Sequence, residues 1–165
     1  MPKIVENVKE RILLETKRQL KELGYSKVNI RGIAAACNIG VGTIYNYFES
    51  KDVIIANFML LDWFLCIKEI KAKIACGQNP IKVAFEYFKE FTSNHSYLFS
   101  DEIAYKNYKV NSNKWHIMLR NQIADVIDSE DEFINLFIAE AIITWSIEGK
   151  CYEDLAPIFE LLNKK

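Results

Sequence analysis

Turn-forming residues are scarce in this chain, with three prolines and six glycines among 165 residues. An all-β fold needs turn chemistry about every 8–12 positions, so this scarcity excludes one and points to helices. Histidine is scarcer still: only His95 and His116 occur, and neither stands at ligand spacing from Cys37, Cys66, Cys76 or Cys151. No two cysteines form a C-x-x-C pair. The spacing therefore predicts no metal site, and four thiols that serve as small apolar side chains. Long hydrophobic runs are missing too. The longest, Val53–Ile67, is interrupted by Asn57 and Asp62 and falls short of the ~20 apolar residues that a membrane span needs. Met1–Lys17 holds no long apolar run of the signal-peptide kind. With scattered thiols, this leads to the expectation of a reducing, cytoplasmic setting.

What is present excludes disorder. Half of the chain is hydrophobic, 26% is charged, and the formal net charge is −1, whereas a disordered chain is poor in apolar residues and high in net charge. The length suits one folding unit, or two small ones. The near-zero charge hides an asymmetry. Residues 1–51 carry nine Lys/Arg against five Glu, a net of +4, while the remainder carries twelve basic and seventeen acidic residues, a net of −5. A basic front and an acidic back suggest two jobs, one of them facing a polyanion.

Hydrophobic periodicity gives an all-α chain of eight or nine helices. The first spans Lys3–Leu23, with Val8, Ile12, Thr16, Leu20 and Leu23 at three- and four-residue steps, and Gly24 ends it. Two short helices follow. Asn29 caps Ile30–Cys37, Asn38-Ile39-Gly40 breaks the chain, and Val41–Phe48 forms the second. Helices this short are marginal alone, so tertiary packing must hold them. Ser50 caps a long helix, Lys51–Cys76, whose first half is apolar almost all round and is expected to be covered on several sides. Beyond Gly77 the pattern predicts helices over Pro80–Ser93, Tyr97–Tyr108, Asn113–Ile127, Asp131–Glu148 and Glu153–Asn163. Residues 1–50 are expected to form one domain and residues 51–165 a second.

The informative stretch is Val28–Lys51. Two short helices joined by a tight turn have the layout of a helix-turn-helix. In that motif the first helix crosses the duplex backbone and the second enters the major groove, which is about 12 Å wide and admits one helix. Ala34–Ala36 are small enough for close helix approach. Gly40, Gly42 and Thr43 keep the tip of the second helix thin, so that its N–H groups can reach phosphate.

Gly24-Tyr25, Arg31-Gly32-Ile33-Ala34, the run from Val41 to Phe48 (Val-Gly-Thr-Ile-Tyr-Asn-Tyr-Phe) and Ser50-Lys51-Asp52 together resemble the DNA-binding domain of the TetR family of bacterial transcriptional regulators. The resemblance covers about 50 residues. It implies a homodimeric DNA-binding regulator, most naturally a repressor on a pseudo-palindromic operator, with a helical back half that dimerises and responds to a ligand. Position by position, it implies that Arg31 meets a base or a phosphate, that Thr43 meets phosphate through its hydroxyl and N–H, and that Tyr45 and Tyr47 reach phosphate with their polar ends. Lys51 would place its charge on an anion at the start of the long helix. The sequence departs from the family at Gly40 and Gly42, which flank Val41 where many relatives carry polar residues. Base readout then rests on Arg31, Thr43 and Asn46, with Val41 offering apolar contact to a thymine methyl. The usual turn glycine is Asn38, which tolerates the left-handed region.

The back half holds most of the aromatics. Trp63, Phe88, Phe91, Tyr105, Tyr108, Trp115 and Met118 are candidates for lining a pocket for a small hydrophobic inducer, although aromatics at helical spacing more often form core. The stripe Ile134, Phe137, Ile138, Ala141, Ile142 and Trp145, with Ile158 and Leu162 on the last helix, is the candidate homodimer interface. Its alternative is an ordinary intramolecular core. No resident cofactor is expected. No G-x-S-x-G, Cys–His arrangement, phosphate loop or H-E-x-x-H occurs. The Glu86/Glu90 and Asp128/Glu130/Asp131/Glu132 clusters suit solvated helix faces and helix N-termini, so no enzymatic activity is expected. Two alternatives stay open: a helical protein-interaction module, and a regulator that no longer senses a ligand.

Overall fold

The computed structural model describes the backbone of residues 7–99 and 102–162, and the side chains of residues 7–98 and 114–162. The described residues form nine helices and no strand: α1 Val8–Leu23, α2 Ile30–Ala36, α3 Val41–Tyr45, α4 Lys51–Ala75, α5 Pro80–Asn94, α6 Ser96–Phe99, α7 Glu102–Ile127, α8 Glu132–Ile147 and α9 Tyr152–Leu162. They pack as two compact units. One takes the described residues up to Asp62 with those of Tyr97–Lys106; the other takes Trp63–Ser96 with those from Asn107 onward.

In the first unit, α1 buries Val8, Ile12, Leu13, Thr16, Gln19 and Leu20, the face that its periodicity predicts. Gly24 ends it at φ 79°, and its N–H donates to the Leu20 carbonyl, a left-handed conformation that side chains with a Cβ resist. The Asn29 side chain caps α2 by accepting from the Gly32 N–H at 2.9 Å. Asn38 takes the left-handed turn at φ 52°. Helix α3 stops at Tyr45, three residues earlier than the periodicity predicts. The N–H groups of Tyr47 and Phe48 both donate to the Ile44 carbonyl, which tightens the last turn. Phe48 is thereby buried, and Ser50 is brought round to accept from the Val53 N–H at 3.2 Å. Of the three alanines expected at the α2 contact, only Ala34 is buried; Ala35 and Ala36 face solvent. Ile12, Leu20, Ile33, Ile44, Ile54 and Ile55 have no exposed surface. Each such side chain contributes about 1.5–3 kcal/mol relative to its exposed state, which is what holds helices as short as α2 and α3.

In the second unit, α5 packs on α8 and α9, with Phe85, Phe88, Ile138, Ile142 and Phe159 at its centre. One boundary needs correction. The expected break between Tyr108 and Asn113 is absent, and α7 runs unbroken through it. That stretch, Lys-Val-Asn-Ser, contains neither Gly nor Pro, and polar residues of this kind weaken a helix only slightly. Helix α4 is less covered within one chain than its composition suggests, since Leu61, Phe64 and Leu65 are about half exposed. Among the described residues no helix is long and apolar enough to cross a membrane.

Candidate nucleic-acid interface

The surface of α2, the turn and α3 separates cleanly into two faces. Ile33, Ala34, Ile44 and Phe48 point into the first unit. Arg31, Gly40, Val41, Gly42, Tyr45, Asn46 and Tyr47 are all exposed, with Thr43 half-buried. Tyr45 and Tyr47, although large and aromatic, keep 55% and 48% of their surface in solvent. Among the described residues the side chains of Arg31, Tyr45, Asn46 and Tyr47 make no hydrogen bond or ion pair. An exposed tyrosine pair with unengaged hydroxyls, beside an unpaired guanidinium, offers donors and aromatic surface to an external partner.

Gly42 adds to this. A Cβ placed on it meets nothing within 4 Å. It lies in the right-handed helix of α3, where glycine costs roughly 0.5–1 kcal/mol relative to alanine. Neither sterics nor backbone conformation within the chain calls for glycine here. The space beside it is open to an approach from outside the chain.

Lys51 has an occupation that the sequence does not foretell. Its ammonium donates to the carbonyls of Tyr25, at 2.8 Å, and Val28, at 3.0 Å, and lies 3.8 Å from the centroid of the Tyr25 ring. The Tyr25 hydroxyl donates to Asp52 Oδ1 at 2.6 Å. These contacts tie the α1–α2 loop to the first turn of α4. The Lys51 charge is thus directed inward onto carbonyls rather than outward. Tyr25 and Asp52 are the residues that sequence reasoning missed. The Gly24-Tyr25 and Ser50-Lys51-Asp52 motifs contain them, but no spacing rule links positions 25 and 52.

A second network joins α1 to α2. Glu15 accepts from Arg18 at 2.6 and 3.0 Å and from Gln19 at 2.8 Å, and Gln19 donates to the Gly32 carbonyl at 3.2 Å. The bonds from Arg18 hold the Glu15 carboxyl below its ordinary range, against the opposing effect of burial. Arg11 donates to the Cys37 carbonyl, and burial pushes the Cys37 thiol up. Lys17 pairs with Asp62, and Arg18 also pairs with Glu22. Among the described residues no carboxylate pairs with Lys27 or Arg31, the two cations that flank the start of α2.

The candidate residues of the second unit fall into different environments. Trp63, Phe88 and Phe91 are buried and pack edge-on or stacked, with centroids 5.2–6.3 Å apart. Trp63 Nε1 donates to Gln122, and the buried His95 ring lies 4.4 Å from Phe91. Trp115 and Met118 are half-buried on α7. Tyr105 and Tyr108 lie outside the residues whose side chains are described. Of the candidate dimer residues, Ile138, Ala141 and Ile142 are buried inside a single chain, which leaves them no surface to give a partner. Ile134, Trp145 and Leu162 are half-buried, and Phe137 and Ile158 are exposed. Ile147, which the sequence places on the side of α8 away from the stripe, is 67% exposed, and Phe133 and Leu161, which the sequence did not single out, are 76% and 71% exposed.

Residues 12–57, which contain all of α2 and α3, match the family described as bacterial regulatory proteins, tetR family. No curated protein sequence matches the chain. Among solved structures, the chain is similar to the fatty acid degradation regulator FadR from Bacillus halodurans, with 15% identity, a TM-score of 0.56, and 94% of each chain covered. It is similar also to Thermus thermophilus FadR, a TetR-family transcriptional repressor solved in complex with lauroyl-CoA, with 18% identity, a TM-score of 0.58, and 93% of this chain and 92% of that one covered. At these identities the likeness is one of fold, over nearly the whole length of each chain.

Proposed function

The chain belongs, through residues 12–57, to the tetR family of bacterial regulatory proteins, and from that premise we propose that it is a homodimeric repressor that binds a pseudo-palindromic operator and releases it on binding a small hydrophobic inducer. The single observation that carries the DNA-binding part is the exposed, internally unengaged face Arg31, Tyr45, Asn46 and Tyr47 around a glycine with no internal reason to be one. Helix α3 enters the major groove and α2 lies across the backbone, with Arg31, Thr43, Tyr45 and Tyr47 on phosphate or base edges. Lys51 holds the α1–α2 loop against α4.

Residues 1–50 carry the DNA contacts; residues 51–165 carry dimerisation and ligand. The dimer face is the stripe Phe133, Phe137, Thr144 and Ile147 on α8, whose spacing follows one side of a helix, together with Ile158 and Leu161 on α9. Two copies paired across a two-fold axis would offer recognition helices about 34 Å apart, one turn of DNA. The inducer shifts the population between two dimer states, which requires a difference in its affinity for them. Lauroyl-CoA, which the Thermus relative binds, is the first acyl-chain probe to test on the second unit, with Trp115 and Met118 as the residues to vary.

The experiment is fluorescence anisotropy with DNA flanking the protein's own gene, at several salt concentrations, for wild type and Tyr45→Ala. The expected result is a Kd of about 10⁻⁸ M or tighter, steep loss of affinity with salt, and weaker binding by the variant. Binding no tighter than about 10⁻⁶ M to every duplex in a random pool, unchanged by the substitution, would overturn the proposal and favour a protein-interaction module.

A further inference from the structure

Base edges in the major groove are chemically distinct. Guanine is read by Arg or Lys on O6 and N7, adenine by Asn or Gln on N6 and N7, cytosine by Asp or Glu on N4, and thymine by apolar contact with its methyl group. The exposed face of α3 can be scored against that code. Val41, in the first turn, is 36% exposed, and Asn46 follows the last helical residue with its side chain in solvent. The two positions between them that face the same way are Gly42 and Tyr45. Thr43, half-buried, suits any base or a phosphate. Between Asn29 and Ser50 the sequence holds one basic residue, Arg31, and one acidic residue, Glu49. Arg31 lies on α2 and Glu49 beyond α3. Apart from Thr43, which suits any base, α3 and the residue that follows it carry no Arg, Lys, Asp or Glu to read a G·C pair, and they display one side chain for each partner of an A·T pair.

We propose that the base pairs facing α3 are A·T pairs, with Val41 against a thymine methyl and Asn46 on adenine N6 and N7, and that any guanine in the half-site is read by Arg31 from α2. The inference rests on the DNA-binding function proposed above. It adds the chemical class of the operator, which neither the family match nor the structural relatives specify. A major-groove helix of this composition discriminates less strongly than one carrying arginine, so affinity depends heavily on phosphate contacts and salt.

The test is selection of tight binders from a pool of random duplexes by the full-length protein, followed by replacement of each thymine in the enriched half-site with uracil. The expected outcome is an enriched half-site with an A·T core. One or two thymine-to-uracil replacements should each cost wild type about fourfold in affinity, the worth of one buried methyl group. The same replacements should cost Val41→Ser nothing. Asn46→Ala should lose about tenfold and accept any base at one adenine position. Thermal melts of both variants, which alter exposed side chains only, check that the fold is kept. An enriched half-site with a G·C core that is insensitive to both substitutions would overturn the proposal while leaving DNA binding intact. Absence of any enrichment or salt dependence would remove the DNA-binding function itself, and this proposal with it.

Discussion

The Lys51 ammonium lies 3.8 Å from the centre of the Tyr25 ring while donating to the Tyr25 and Val28 carbonyls. A lysine at the start of a helix in a DNA-binding domain invites assignment to phosphate, and its geometry here argues for another role. Replacing Lys51 with Met removes the cation from the ring and leaves two carbonyls without their donor, at a cost of about 1–3 kcal/mol. Tyr25→Phe keeps the ring but loses the bond to Asp52, at about 0.5–1.5 kcal/mol. Denaturant melts measure both. The salt dependence of operator binding separates the roles. If Lys51 only positions the loop, the slope of log K against log salt is unchanged in Lys51→Met even where affinity falls. A drop in that slope of about 0.9 would show a direct phosphate contact.

Gly42 sets stability against binding. An alanine there meets no atom within 4 Å and raises helix propensity, so Gly42→Ala should stabilise the chain by about 0.5–1 kcal/mol. If the missing Cβ leaves room for the DNA backbone, the same change should weaken operator binding by about tenfold or more, since a close-packed contact tolerates no added methyl. A melt and an anisotropy titration on one sample test both halves. A variant that is stabilised and binds as before would show that Gly42 has no part in recognition.

The helices were legible in the sequence where punctuation was strong. Asn29, Gly24, Asn38, Ser50 and Pro80 all act where their chemistry says they should, because capping and left-handed turns depend on a few neighbouring residues. Legibility failed where the deciding partner was far away. The end of α3 at Tyr45 comes with a tightened last turn and a buried Phe48, and no Gly or Pro marks it. The exposed tyrosines could be read from their motif, but the Tyr25–Asp52 bond joins residues 27 positions apart, and no periodicity reports that. On α8 the composition is apolar all round, so the sequence could not tell the buried face of Ile138 and Ile142 from the open face of Phe133 and Phe137.

That open face gives a third prediction. Phe137 is about half exposed on the same side of α8 as Phe133 and Ile147, and large apolar side chains clustered in solvent are the kind of surface that a partner covers. Phe137→Asp puts a charge in the middle of it without touching the core. Sedimentation at micromolar concentration should show a dimer for wild type and a monomer for the variant. Operator affinity should fall steeply because two half-sites are no longer held by one particle. The melt of the monomeric unit should move little. A variant that remains dimeric would place the two-fold contact elsewhere on the chain.

The cysteines give the fourth. Burial pushes the Cys66 thiol up to about 12, with the Glu90 carboxylate acting in the same direction, and Cys37 is also raised by burial. Cys76 and Cys151 are exposed. Alkylation requires the thiolate. A thiol titrating near 12 is ionised to about one part in 10⁴ at pH 8, and that fraction grows about tenfold with each unit of pH. Iodoacetamide at pH 8, followed by mass spectrometry, should therefore modify Cys76 and Cys151 promptly and Cys66 and Cys37 far more slowly. The Cys66 rate should climb steeply as pH rises, provided the fold survives. Denaturant should bring all four to similar rates, since the shift belongs to the folded environment. Because Cys66 donates to the Tyr87 carbonyl of α5, its labelling follows the opening of α4 from α5 within the second unit. A Cys66 that labels as fast as Cys76 in the native protein would mean that this contact opens freely.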